Sequence, residues 1–207
     1  MTNEELIEQW GRRSYSWSQH SSFAYDPDQW FHSYILNERG DGSAAMKFGN
    51  TVGISINTDT PLANVPRQVH MEFEVRAKIG NIDLVGFFDS YSCGGKKCCP
   101  PGEYRLEEYK TSANPTRWTQ KSVDEHGQLA FYAMLLYLKH KVKPEDIKMN
   151  LHWIPVAEDS FFEMYVSGKH VTFPTKRTMK DIFKLMVEIK VRRKEMLAYA
   201  RKRLAEL

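Results

Sequence analysis

At 207 residues, with 42% hydrophobic and 13% aromatic content, the chain can bury a sizeable core and does not read as a disordered tail. No run approaches the ~18 uncharged apolar residues of a membrane span. The net charge is only +3, but residues 175–207 hold 11 Lys and Arg against 4 Asp and Glu, so that segment is +7 on a remainder of −4. Such asymmetry fits a basic face offered to a polyanion, and equally a solvated helix face.

The first residues, MTNEELIEQW, carry acids where a signal peptide needs a basic and then an apolar stretch, so the cytoplasm is the expected compartment. Asn3 to Trp10 reads as a short helix capped by Thr2. Asp26-Pro27-Asp28 reads as the start of another, with Asp26 as cap and Trp30, Phe31, Tyr34 and Ile35 as its apolar face. Ala44 to Ile56 reads as a helix or, in its C-terminal half, a strand; as a helix, Gly49 and Gly53 let one side approach a neighbour. Strands are expected over Val69–Lys78 and Ile82–Ser90, joined at Gly80-Asn81, and again from Tyr104 to Thr111. Between them Cys93 to Gly102 is a loop. Asp124 to Lys141 carries a Leu129, Tyr132, Ala133, Leu136, Tyr137 stripe and reads as one helix. Strands about Lys148–Val156 and Phe161–Phe173 follow, the latter broken by a turn at Ser167-Gly168-Lys169, and a basic helix, Met179 to Ala205, closes the chain. On the C-terminal helix Ile182, Leu185, Met186, Ile189, Met196, Ala200 and Leu204 fall near one stripe, with Lys190, Arg192, Arg193, Lys194, Arg201, Lys202 and Arg203 on the remainder. No linker or repeat divides the chain, so residues 1–207 are expected to form a single domain with a helical N-terminal segment (about 1–60). The fold class is α/β with a mixed central β-sheet flanked by helices.

Two stretches carry chemistry. "NIDLVGFFDS" ends a buried strand in Asp89, with Gly86 permitting close approach. In "LEEYKTS", Glu108 and Lys110 are two apart and leave the strand on one side, while Glu107 and Tyr109 point the other way. Two converging carboxylates suit a hard divalent cation, and a nearby lysine could position or deprotonate a water or stabilise charge on a phosphate. A charged strand end is the plain alternative.

These residues occur in a series that resembles the PD-(D/E)XK nuclease superfamily, and within it the RecB-like exonuclease branch. The resemblance runs from about Ser14 to Tyr137: "SYSWSQHSSFAYDPDQWFHSYIL", "KFGNTVG", the Gly-x-x-Asp of "LVGFFD", the Glu-x-Lys of "EYKTS" and the Gln-x-x-x-Tyr of "QLAFY", in the family's order. It implies a restriction-endonuclease-like core and Mg²⁺ or Mn²⁺ held by Asp89 and Glu108, with the Tyr109 carbonyl as a possible ligand. Lys110 would be catalytic, and Gln128 and Tyr132 would flank the site, touching substrate or ordering the lysine; plain helix packing is their alternative. The family's metal-ligating histidine is missing, with Gly53 in its place, and Glu72 or Glu74 could substitute. Asp26-Pro27 stands where iron–sulfur members carry Cys-Pro, and no cysteine follows Cys99, so no such cluster is expected. Cys93, Cys98 and Cys99 read as loop thiols, or as zinc ligands with His70.

The resulting expectation is a metal-dependent deoxyribonuclease, an exonuclease acting on DNA ends in recombination, repair or phage DNA processing. Its partner is DNA, with a separate recombinase, annealing protein or helicase as a possible companion, since no G-x-x-x-x-G-K-[ST] motor motif is present. The alternatives are a catalytically degenerate nucleic-acid-binding module of the same fold, and an α/β scaffold whose C-terminal helix binds an acidic partner.

Overall fold

A computed structural model describes residues 2–38, 40–58, 60–93 and 104–207. Four helices lead the chain: α1 (Asn3–Gly11), α2 (Trp17–Tyr25), α3 (Pro27–Tyr34) and α4 (Ala44–Ile56). Each starts on a side-chain cap. Thr2 and Glu5 form a reciprocal box on α1, Ser16 caps α2, Asp26 caps α3 ahead of Pro27, and Ser43 caps α4. Helix α4 runs unbroken through Ile56, which resolves the helix-or-strand ambiguity at its C-terminal half. Helix α2 was not anticipated from the sequence.

Strands β1 (His70–Ile79), β2 (Ile82–Ser92) and β3 (Tyr104–Ser112) follow, then α5 (Gln120–Asp124), α6 (Gly127–His140), β4 (Ile147–Glu158), β5 (Met164–Val166), β6 (Val171–Thr175) and α7 (Met179–Ala205). They form a six-stranded sheet in the order β1-β2-β3-β4-β5, with β6 also paired to β4. Only β3 and β4 run parallel, joined by the α5–α6 crossover, so the sheet is mixed. The helix expected over Asp124–Lys141 is α6, which starts three residues later, and the short α5 ahead of it was not anticipated. At the α5–α6 junction Arg177 is almost fully buried and its Nη2 donates to the carbonyls of Val123 (2.9 Å) and His126 (3.1 Å). The break expected at Ser167-Gly168-Lys169 is present, between the short strands β5 and β6.

Helices cover both faces of the sheet. On one, α6 lies across β1 and β2, and a Cβ at Gly86 would stand 2.6 Å from Leu135 and 3.1 Å from the Tyr132 ring. Glycine there is the condition for that approach. Outside α6, α7 packs against α1, α2 and α3 through Ile182, Leu185, Ile189, Met196, Ala200 and Leu204. Met186, on the expected stripe, is only half-buried. On the other face α4 closes a smaller core of Val52, Ile56, Ala63, Val65 and Ile154, with Tyr109 against it. Of the two glycines in α4, Gly49 meets Thr111 (2.9 Å from a built Cβ), whereas Gly53 faces open space. No helix among the described residues is long and apolar enough to cross a membrane.

The unanticipated α2 is fixed by Trp17, whose ring lies where a Cβ on Gly127 would be, 2.1 Å from the nearest ring carbon. Gly127→Ala should therefore cost about 1–3 kcal/mol by overpacking. The check is a lower urea midpoint with an unchanged m-value; an unmoved midpoint would mean α2 does not press on the start of α6.

Candidate active site

Strands β2 and β3 pair only over Ser90–Ser92 against Arg105–Glu107. The next pair in that register would be Asp89 with Glu108, and there the ladder stops and the strands part. Asp89 holds the fork: its Oδ2 accepts the Tyr109 N–H at 2.7 Å, taking the place of a strand carbonyl. Glu108 is fully buried, and Lys110, two residues on and on the same side, puts its Nζ 2.5 Å from Glu108 Oε1. Asp89, Glu108, Tyr109, Lys110 and Gln128 all line one cavity of about 840 Å³ between α4 and the start of α6. The alternation read from "LEEYKTS" is the one observed.

Burial dominates the electrostatics. It pushes Glu108 up to about 8, the neighbouring Asp89 adds to the rise, and Lys110 opposes both. Asp89 is also raised, again by burial first, against the pull of Lys110 and the Tyr109 N–H. For Lys110 burial works to lower the value, but Glu108 and Asp89 together outweigh it, so the side chain is held as an ammonium. Glu108 has no neutral donor on its carboxyl; its polar neighbours are the Lys110 ammonium and the Asp89 carboxyl. Two buried carboxyls share one ammonium, a deficit of one positive charge that favours a proton or a cation. The donor set, all hard oxygen, fits a divalent ion such as Mg²⁺ or Mn²⁺.

Gln128 and Tyr132 form a relay that stops short of the lysine. Gln128 Nε2 donates to the Tyr132 hydroxyl (2.7 Å), which donates to the Phe87 carbonyl (2.6 Å). Two residues later comes Asp89. Tyr132 thus anchors the strand that delivers the aspartate, and Gln128 faces the cavity.

The structure also separates the two candidates for the missing histidine. Glu74 is paired with Arg76 at the surface. Glu72 lines the cavity, and its carboxyl is raised by partial burial and then by Asp89. Its φ of +48° is a left-handed value inside a strand, and the β1–β2 ladder skips the Glu72–Asp89 pair. Among the described residues no three His, Cys, Asp or Glu side chains converge tightly enough to enclose an ion, so Glu72 stands behind Asp89 and Glu108. Gly53 lines the same cavity with open space before it. Cys98 and Cys99 lie outside the described residues, so the zinc alternative falls outside them as well.

No family model matches the chain, and no curated protein matches it. Among solved structures, the "Putative exonuclease" of Eubacterium rectale is similar over 97% of this chain and 84% of its own, at 12% identity and a TM-score of 0.57. The two chains share a fold. At that identity the likeness speaks for the architecture, and the local geometry carries the rest.

Two cavity residues were missed from the sequence. Arg117 and Trp118, on the loop after β3, line the site, with the guanidinium 5.8 Å from the indole centroid. Their signal was a cation beside an aromatic just after the Glu-x-Lys strand. The basic side of α7, by contrast, is remote. Lys190, Arg193, Lys194 and Arg201 gather at the β1–β2 turn, which is seven residues along β1 from Glu72, or about 23 Å at ~3.3 Å per residue.

Glu108→Gln should stabilise the metal-free protein. A folded value near 8 against an ordinary 4.5 means the native state binds more protons between those pH values, so the wild type loses stability as pH rises through that window. The variant should gain roughly 1–2 kcal/mol at neutral pH, with the advantage vanishing below the lower limit. Thermal melts in EDTA across that range measure it, and a variant less stable at every pH would contradict the burial argument.

Proposed function

We propose that this chain is a divalent-cation-dependent deoxyribonuclease of the PD-(D/E)XK type, RecB-like in its motifs, that hydrolyses phosphodiester bonds from DNA ends. The observation that carries the reading is the Asp89–Glu108–Lys110 group at the strand fork, short of one positive charge and open to a cavity. The fold shared with an exonuclease-named structure is consistent with it.

Asp89 and Glu108, with the Tyr109 main chain beside them, would hold Mg²⁺ or Mn²⁺. When bound, the cation would lower the pKa of a coordinated water, making its deprotonation easier, and would supply positive charge at the phosphate. This chain's own residues do the placing. Lys110, against Glu108, would stabilise charge developing on the phosphate and position the attacking water or take its proton. Arg117 offers a second cation to a phosphate oxygen. The Gln128–Tyr132–Phe87 relay keeps Asp89 in register. A separate recombinase, annealing protein or helicase would present the DNA.

The deciding experiment digests linear and circular DNA, labelled at 5′ or 3′ ends, with Mg²⁺, Mn²⁺ or EDTA. Loss of end label from linear DNA only, and only with metal, is the expected result. Cleaved circles would make it an endonuclease. Binding without any cleavage would favour the degenerate module, a reading that the glycine at position 53 supports.

Lys110→Ala should lower turnover by about 10²–10⁴-fold while leaving DNA affinity within a few-fold, because its contribution is made at the transition state. Loss of affinity with unchanged turnover would recast the lysine as a binding clamp.

A further inference from the structure

A second cavity, of about 780 Å³, lies between α1, α7 and the β1–β2 turn, away from the carboxylates. Its floor is apolar: Ile7, Trp10, Ile79, Ile82 and Leu197. Six cations rim it (Arg12, Arg13, Lys190, Arg193, Lys194, Arg201) against Glu8 and Asp83, which are already engaged with Arg12 and Lys78. Arg193 is its centre. The guanidinium lies 3.7 Å from the Trp10 ring centroid, and Nη2 donates to the Gly11 carbonyl at 3.0 Å. Nη1 is buried and has no acceptor. A guanidinium with a spare buried N–H, above an aromatic floor, lacks a carboxylate or similar anion.

The opposite edge of the sheet carries the matching chemistry. The β4–β5 turn displays Phe161 and Phe162 at 81% and 83% exposure, between Glu158, Asp159 and Glu163. It is built rather than loose. Asp159 Oδ1 accepts the N–H groups of Phe161 (2.8 Å) and Glu163 (2.9 Å), and the Phe162 N–H reaches the Asp159 carbonyl at 3.2 Å. Phe162 sits at φ +64°, a conformation that a bulky side chain rarely adopts. Two preorganised, solvent-facing aromatics are an anchor with little ordering cost left on binding.

We propose that the acidic, aromatic β4–β5 tip of one copy seats in the basic, apolar-floored groove of a second copy. The rings cover the groove floor, and Glu158 and Glu163 meet the Arg193 side of the rim. Tip and groove lie at opposite edges of one sheet, so the contact is head-to-tail; repeated, it closes a ring or extends a chain. Nucleic acid suits neither partner as well. The three acids of the tip repel phosphates, and a phosphate backbone has no use for the apolar floor. The proposal does not rest on the nuclease reading.

Sedimentation or light scattering of the full chain across the micromolar range tests it. The expected mass is a multiple of the monomer's and falls with added salt. Phe161→Ala with Phe162→Ala, at exposed positions, should give a monomer. Lys194→Glu with Arg201→Glu should do the same without disturbing the Arg193–Trp10 stack. An equimolar mixture of these two variants should recover a 1:1 dimer, because one supplies an intact groove and the other an intact tip. A monomeric wild type, masses unmoved by both variants, or no dimer in the mixture would each overturn the proposal. So would groove variants that lose DNA binding at unchanged mass, which would give the groove to nucleic acid.

Discussion

Two carboxyl groups and one ammonium gathered where β2 and β3 part are the constraint around which the rest of this molecule is arranged. An isolated buried carboxylate is expensive, and two side by side more so. The sheet tolerates them because Asp89 takes a backbone N–H, Lys110 sits against Glu108, and α6 is pressed onto β2 at Gly86, where Tyr132 holds the Phe87 carbonyl. The helical layers behind α6 serve the same end: α7 and the N-terminal helices back α6 with the Trp10–Trp30 and Phe23–Trp30 edge contacts. A fork held open against its own hydrogen-bonding tendency requires that much packing behind it.

What the sequence made legible follows from how local each signal is. Caps, the two-residue alternation of β3 and the stripe of α7 are decided by neighbours within a turn or a strand, and they were readable. Helix α2 was not, because Ser18, His20, Ser21 and Ser22 are poor helix formers. It stands on tertiary contacts, with Trp17 stacked on His20, His20 bonded to Tyr15 and Glu188, and Phe23 against Trp30 and Tyr199. The break between α5 and α6 has a similar cause. Arg177, some fifty residues downstream, takes the carbonyls, and no local pattern announces it.

That Asp89, Glu108 and Lys110 would come together was legible in their spacing, but the geometry around them was not. Glu72 and Glu74 have the same parity on β1, so alternation alone gives them one face. The left-handed residue at position 72 breaks that equivalence, turning Glu72 to the cavity while Glu74 stays outside with Arg76. A strained backbone opposite Asp89 is the kind of local rule-breaking that accompanies functional sites, and it is invisible until the chain is folded. Arg117 and Trp118 enter the cavity from a loop, where sequence spacing carries no directional information.

The adjacent glutamates of β3 make the argument for function sharper than any motif does. Glu107 and Glu108 are both buried, one on each face of the same strand. Glu107 is fully provided for: Gln68 and Asn150 each donate to it at 2.9 Å, and His152 Nε2 lies 2.8 Å away, itself tied to Thr172. Glu108 has no such set of neutral donors: its polar neighbours are the Lys110 ammonium and the Asp89 carboxyl, and the cavity opens beside it. A structural acid is satisfied by its own fold, because an unmet buried carboxyl costs more than the hydrogen bonds that would quiet it. The same strand could have equipped both and equipped one. On the proposed reading, the less-provided acid is the one kept for a partner from outside the fold, and its hard oxygens and the shortage of positive charge around it suit a cation.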